Sequence, residues 1–179
     1  LDLCPALGVS IPVGKDSMSM RTAWDDQGVP AEVVSPVSLI VSAFAPCDDV
    51  RQTWTPHLRT DEGPTELVLI DLARGRARLG GSILAQVYNH TGQEAPDADD
   101  PAAIRAFFQA LADLRTAGSV LAYHDRSDGG LFVTVAEMAF AGHAGVALDA
   151  DAIGLGPATD EASLLARLFA EELGAVGAF

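Results

Sequence analysis

The chain has 179 residues, 49% of them hydrophobic, and a formal net charge of −14, with a pI near 4.4. That length and apolar content suit one globular domain or two small ones with a real core, and they exclude a disordered chain. The acidity argues against a nucleic-acid partner, which needs a basic face, and against an anionic membrane surface; no apolar run is long enough to span a bilayer.

The chain opens Leu1-Asp2-Leu3-Cys4, with no initiator Met and no leader, and it ends on what reads as the start of a strand at Glu172 to Val176. A piece of a longer polypeptide is expected. Cys4 and Cys47 stand alone, with no metal spacing and no disulfide framework. They fit a structural role in a reducing compartment, and a cytoplasmic location is expected.

In chain order, residues 7–21 alternate apolar and polar around a glycine, with Val9, Ile11 and Val13 before it and Met18 and Met20 after. Period two predicts half-buried strands flanking the turn Gly14-Lys15-Asp16. Lys15 is the sole lysine among eleven basic residues; drift in an Arg-rich chain accounts for that without any function. A phosphate loop is rejected, because five residues separate Gly8 from Gly14 and Asp16 follows the lysine. A bulge or bend in a strand remains the structural alternative. Trp24 to Pro30 reads as a polar loop, and Val37 to Ala45 as a buried strand. Thr55 to Pro64 carries two prolines, a glycine and several charges. It predicts a linker, with a domain boundary near Gly63 and units 1–63 and 64–179.

The second unit opens with a strand at Glu66 to Leu72, a basic loop at Arg74, Arg76 and Arg78, and a Gly-Gly-Ser turn into a helix from Ile83 to Tyr88. The arginines face either phosphate or solvent. Asp99-Asp100-Pro101 starts a helix that Gly118 stops, with Ile104, Phe107, Phe108, Leu111 and Leu114 on one core face. A strand at Ser119 to Tyr123, a helix from Leu131, a strand at Val146 to Ala150 and a helix from Asp160 follow. The Glu171-Glu172 pair reads as a solvated helix end. The pattern gives an α/β (α+β mixed) layer of helices on a sheet.

The densest polar stretch is His124-Asp125-Arg126-Ser127-Asp128-Gly129-Gly130, set between a strand and a helix. Asp125 suits Mg²⁺, Ser127 a phosphate oxygen, Arg126 a phosphate charge, and the Gly129 and Gly130 amides a phosphate cradle. The alternative is structural: Ser127 or Asp128 caps the helix and the glycines shape the turn. The residues alone leave both readings open. His57, His90, His124 and His143 show no zinc spacing.

Taken together, Pro12-Val13-Gly14-Lys15-Asp16-Ser17-Met18-Ser19-Met20 and His124 to Leu131 resemble the large form of phosphoribosylformylglycinamidine synthase. Glu137-Met138-Ala139-Phe140-Ala141-Gly142 and Phe169 to Val176 agree in order. The resemblance implies the end of an ATP-binding domain followed by a C-terminal α/β domain of the aminoimidazole-ribonucleotide-synthetase-like fold. It implies a ligase that uses ATP and glutamine to convert formylglycinamide ribonucleotide to formylglycinamidine ribonucleotide in purine biosynthesis. It also implies ATP or ADP with Mg²⁺, held here as a structural auxiliary nucleotide. On the motif match Asp125 is similar to a Mg²⁺ ligand and Ser127 to a nucleotide contact, with Lys15, Gly129 and Gly130 as weaker nucleotide candidates. The partners implied are the remainder of the same synthase chain, namely a first synthetase half and a glutaminase domain, and small-molecule nucleotides, with no nucleic acid and no membrane. No catalytic residue is assigned, neither cysteine inherits a nucleophile's role, and the piece in isolation is expected to be inactive.

Overall fold

A computed structural model describes residues 2–16, 20–35, 38–149 and 160–179. Its elements, in order, are α1 (Leu3–Leu7), β1 (Met20–Asp26), β2 (Val29–Ser35), β3 (Leu67–Asp71), α2 (Ile83–Val87), α3 (Pro101–Ala117), β4 (Ala122–Asp125), α4 (Gly130–Gly142), α5 (Glu161–Phe169) and β5 (Gly174–Ala178), with one 3-10 turn at Val50–Gln52. The mixed α/β class expected from the sequence is the class observed.

The first unit departs most from the sequence reading. Residues 9–16 form no strand, and Val9, Ile11 and Val13 are exposed; Met18 lies outside the described residues. Alternation marks a face that a strand would bury, but it supplies no partner strand. The expected loop at Trp24 to Pro30 is instead the tip of a hairpin in which β1 and β2 pair antiparallel, from Met20 opposite Ser35 to Asp26 opposite Val29. Gln27 and Gly28 both take positive φ, +56° and +90°, as a two-residue turn matching strand twist requires. The Asp25 carboxylate accepts the Gly28 amide at 2.6 Å. The expected buried strand at 37–45 is irregular from Ser38 onward, with Leu39 and Ile40 each 89% exposed and Phe44 94% exposed.

The second unit is built on an antiparallel sheet ordered β3-β5-β4. Its middle strand is the last one. The strand whose start is expected at Glu172 to Val176 begins at Gly174 and runs to Ala178, and its last four residues are buried. Small side chains are what the position demands. A Cβ on Gly174 would lie 2.4 Å from the Ile70 carbonyl oxygen of β3.

The core joins Ala122, Leu131, Val135, Met138, Val176 and Ala178 with Leu58. Leu58 falls in the stretch read as a linker. It seats against Gly142, where an added Cβ would come within 2.9 Å of the Leu58 backbone. Nearby, the Thr55 carbonyl accepts the Tyr123 amide at 2.9 Å, and Trp54 packs on the Tyr123 ring with centroids 5.6 Å apart. The chain is therefore engaged with β4 before it reaches Gly63.

Helix α3 begins and ends as its sequence predicts. The Asp100 carboxylate accepts the Ala102 and Ala103 amides at 3.0 Å each, Pro101 takes the first turn, and Gly118 closes the helix at φ +67°. On its apolar face Ile104 is buried, but Phe108 is 62% exposed, so that face is only partly core. Asp160 caps α5 by accepting the Ser163 amide. The strand expected at 146–150 is irregular through Asp149, and Ala150 lies outside the described residues.

The basic loop is paired within the chain: Arg74 and Arg76 stay exposed to solvent, and Arg78 is buried. Arg74 pairs with Asp100, and Arg76 with Asp99 at 2.9 Å. Arg78 is buried, with its guanidinium 2.8 Å from Asp99 and 2.7 Å from Glu172. Glu172 is fully buried and also accepts the Arg78 amide at 2.9 Å. The pairing with Arg78 holds the Asp99 carboxyl below its ordinary pKa. A depressed pKa contributes stability that is present above the unfolded value, about 3.9, and is lost as pH falls through the folded one. Denaturation midpoints measured from pH 6 to pH 2 are expected to fall less for Asp99→Asn than for the native chain on this limb. Parallel curves would refute the pairing.

Candidate functional site

The three strands of the second sheet bring the C-terminal ends of β3 and β4 and the start of β5 to one edge. The heptapeptide leaves β4 there. Its residues divide by burial: Arg126, Gly129 and Gly130 are buried, whereas Asp125, Ser127 and Asp128 are exposed.

Arg126 clamps that edge. Its amide donates to the Gly174 carbonyl at 2.8 Å. Its guanidinium donates to the Glu172 carbonyl at 2.6 Å, the Leu173 carbonyl at 2.9 Å and the Asp71 carboxylate at 2.7 Å. The sequence reading offered Arg126 to a phosphate; the structure gives it to the fold. Asp71 is held in turn by the Gly75 amide at 2.7 Å.

The glycines enter α4 in the left-handed region, Gly129 at φ +81° and Gly130 at φ +68°. The N-cap of α4 is Gly129, and no side chain caps the helix. The capping role considered for Ser127 or Asp128 is thereby corrected. The Gly130 amide donates to the Ser127 carbonyl at 2.9 Å, closing the turn. The Gly129 amide donates to the Glu171 carboxylate at 2.8 Å. Both amides considered as a phosphate cradle thus have partners within the chain.

Asp125 ends β4 opposite Ala175, with its side chain 72% exposed. Its backbone is braced: the carbonyl accepts from His124 Nδ1 at 2.7 Å, and a carbonyl can only accept, so Nδ1 carries the hydrogen. His124 Nε2 meets the Glu137 carboxylate of α4 at 2.8 Å. Burial first, and the Asp125 charge second, push the Tyr123 phenol pKa up. Among the described residues, no group of three or more His, Cys, Asp or Glu converges as a metal cage. One exposed carboxylate beside one exposed hydroxyl still suits Mg²⁺, which takes one or two protein carboxylates and fills its shell with water and phosphate oxygens.

Lys15 lies elsewhere in the chain, exposed on the irregular segment between α1 and β1, its ammonium 3.4 Å from the Asp16 carbonyl. The turn brings Asp125, Ser127, Gly129 and Gly130 together; Lys15 stands on a separate element. The sequence reading missed Glu171 and Glu172, which it placed on a solvated helix end. The available signal was their position, between the last turn of α5 and the small-residue strand β5, with an arginine-rich loop elsewhere in an acidic chain.

Residues 66–177 match the family model described as AIR synthase related protein, C-terminal domain. Residues 1–46 match the model described as FGAR-AT PurM_N-like domain. The turn at 124–130, Glu171 and Glu172 all fall within the longer match.

Proposed function

The chain belongs to the AIR synthase related family through the C-terminal domain at residues 66–177, and from that premise we propose that it serves an ATP- and glutamine-dependent ligase converting formylglycinamide ribonucleotide to formylglycinamidine ribonucleotide. The match of residues 1–46 to an FGAR-AT domain supports this choice within the family. A first synthetase half and a glutaminase domain would complete the reaction.

Within that ligase, the turn after β4 would hold a Mg-nucleotide, ATP or ADP. The observation that carries this reading is the division of the turn. Of its buried members, Arg126 is held by Asp71, Gly129 by Glu171 and Gly130 by the Ser127 carbonyl, while of the assigned residues in the turn Asp125 and Ser127 face outward. The Asp125 carboxylate would take Mg²⁺, and the Ser127 hydroxyl would donate to a phosphate oxygen. The metal would supply charge neutralisation for the phosphates. Arg126 orients both groups without touching the ligand. Lys15 remains a weaker candidate for the same nucleotide.

The second reading is that the nucleotide is structural, and the tie of this turn through Arg126 to the ends of β3 and β5 favours it. A ligand bound only by the native state stabilises it by about 2.7 kcal/mol at a hundred times its Kd. Mg-ADP is therefore expected to raise the thermal midpoint of the native chain. Asp125→Ala should abolish most of that rise while leaving the unliganded midpoint nearly unchanged, since the side chain is exposed. An undiminished Mg²⁺-dependent rise in Asp125→Ala would sink the assignment. In the assembled ligase, normal turnover with a lowered midpoint would identify the nucleotide as structural, and lost turnover with an unchanged midpoint as catalytic.

A further inference from the structure

Glu171 sits where two glycine-containing turns meet. One carboxylate oxygen, Oε1, accepts the Gly129 amide and the Ile83 amide, each at 2.8 Å. Ile83 is the first residue of α2, directly after Gly80-Gly81-Ser82. The Ser82 hydroxyl already accepts the Ala85 amide, so the Glu171 carboxylate supplies a different acceptor for the same helix end.

The carboxylate is delivered to this point by a rigid backbone. Ala170 before it is 2% exposed. Glu172 after it is clamped by Arg78, and the Glu172 carbonyl accepts from Arg126. On the other side, the turn 126–130 is pinned at its start by the Arg126 amide and at its end by the Gly130 amide. The peptide joining Asp128 to Gly129 is held between those points by Glu171. A Cβ on Gly129 would lie 2.3 Å from the Val133 side chain, so the turn is packed from the helix side as well.

We propose that Glu171 is a positioning residue for the Mg-nucleotide turn: it fixes the Gly129 peptide, and through it the direction in which Ser127 presents its hydroxyl. This rests on the nucleotide reading given above. A consequence follows for ligand contact. With Glu171 in place the Gly129 amide is taken, so Ser127 would hold a phosphate oxygen and Asp125 would hold the Mg²⁺ that neutralises the phosphate charge, with that amide left out. Glu171→Gln keeps a carbonyl oxygen for both amides; Glu171→Ala keeps none.

The test compares the native chain, Glu171→Gln and Glu171→Ala below all three thermal midpoints. It uses Mg-ADP titration and amide hydrogen exchange over residues 81–84 and 127–130. In Glu171→Ala, exchange should rise in both segments together, and Mg-ADP affinity should fall about tenfold, the scale of one ordinary hydrogen bond. Glu171→Gln should restore affinity to within about threefold of native, because geometry and not charge is what matters. Unchanged affinity in Glu171→Ala, with only a lowered midpoint, would reduce Glu171 to a structural tie. Tighter binding would show instead that Glu171 blocks an anion from the Gly129 amide, which overturns the proposal. If the native chain binds no Mg-ADP, the nucleotide reading fails, and the exchange data alone decide whether Glu171 holds the turn.

Discussion

Arg126→Ala is expected to destabilise the chain by on the order of 3–5 kcal/mol, as removing one partner of a buried ion pair does. The guanidinium is 2% exposed and serves the ends of β3 and β5 at once. Truncation leaves the Asp71 carboxylate, itself 15% exposed, without its counter-charge, and strips the Glu172 and Leu173 carbonyls of a donor. The Ala73 and Gly75 amides still reach Asp71 at 3.3 and 2.7 Å and temper the loss. Urea denaturation gives the value directly. A loss under about 1 kcal/mol would place Arg126 among surface pairs, where ion pairs contribute little, and would contradict the clamp.

Gly130→Ala is expected to cost about 2–5 kcal/mol, the sum of left-handed backbone strain and overpacking. Gly130 stands at φ +68°, and an added Cβ would lie 2.7 Å from the Phe169 carbonyl carbon and 2.8 Å from the Ala170 oxygen. Both are backbone atoms at the C-terminal end of α5 and cannot swing aside. Gly81 is the internal comparison. Its φ is +74° but nothing lies within 4 Å of its missing Cβ, so Gly81→Ala should incur only the conformational part, about 1–2 kcal/mol. Equal losses at the two sites would mean that α4 and α5 are not in contact at Gly130.

The contrast between α3 and the acidic pair shows what the sequence could reveal. Helix α3 is written in local signals: Asp100 as cap, Pro101 at the first turn, Gly118 at the stop. None of these needs a distant partner. The 124–130 turn was legible as a site for the same reason, since its composition is local. Its internal division was not legible. Arg126 is structural because of Asp71, Leu173 and Glu172, and Gly129 is satisfied because of Glu171. Adjacent glutamates are ordinarily solvated, and only the fold sets Glu172 against Arg78 and Glu171 against two amides. The hairpin was missed because Gln27-Gly28 is not the Asn-Gly or Asp-Gly pair that usually announces it. The apolar run at 38–45 carried the composition of a strand, but among the described residues it has no strand beside it.

That division of the turn into a fixed interior and two outward ligand groups is open to direct mapping. Mg-ADP titrated into the isotopically labelled native chain, followed by amide NMR, should shift the resonances of residues 125–130 first and most, and only when Mg²⁺ is present. Saturable shifts confined to other segments, with 125–130 unmoved, would contradict the assignment of this turn as the Mg-nucleotide site.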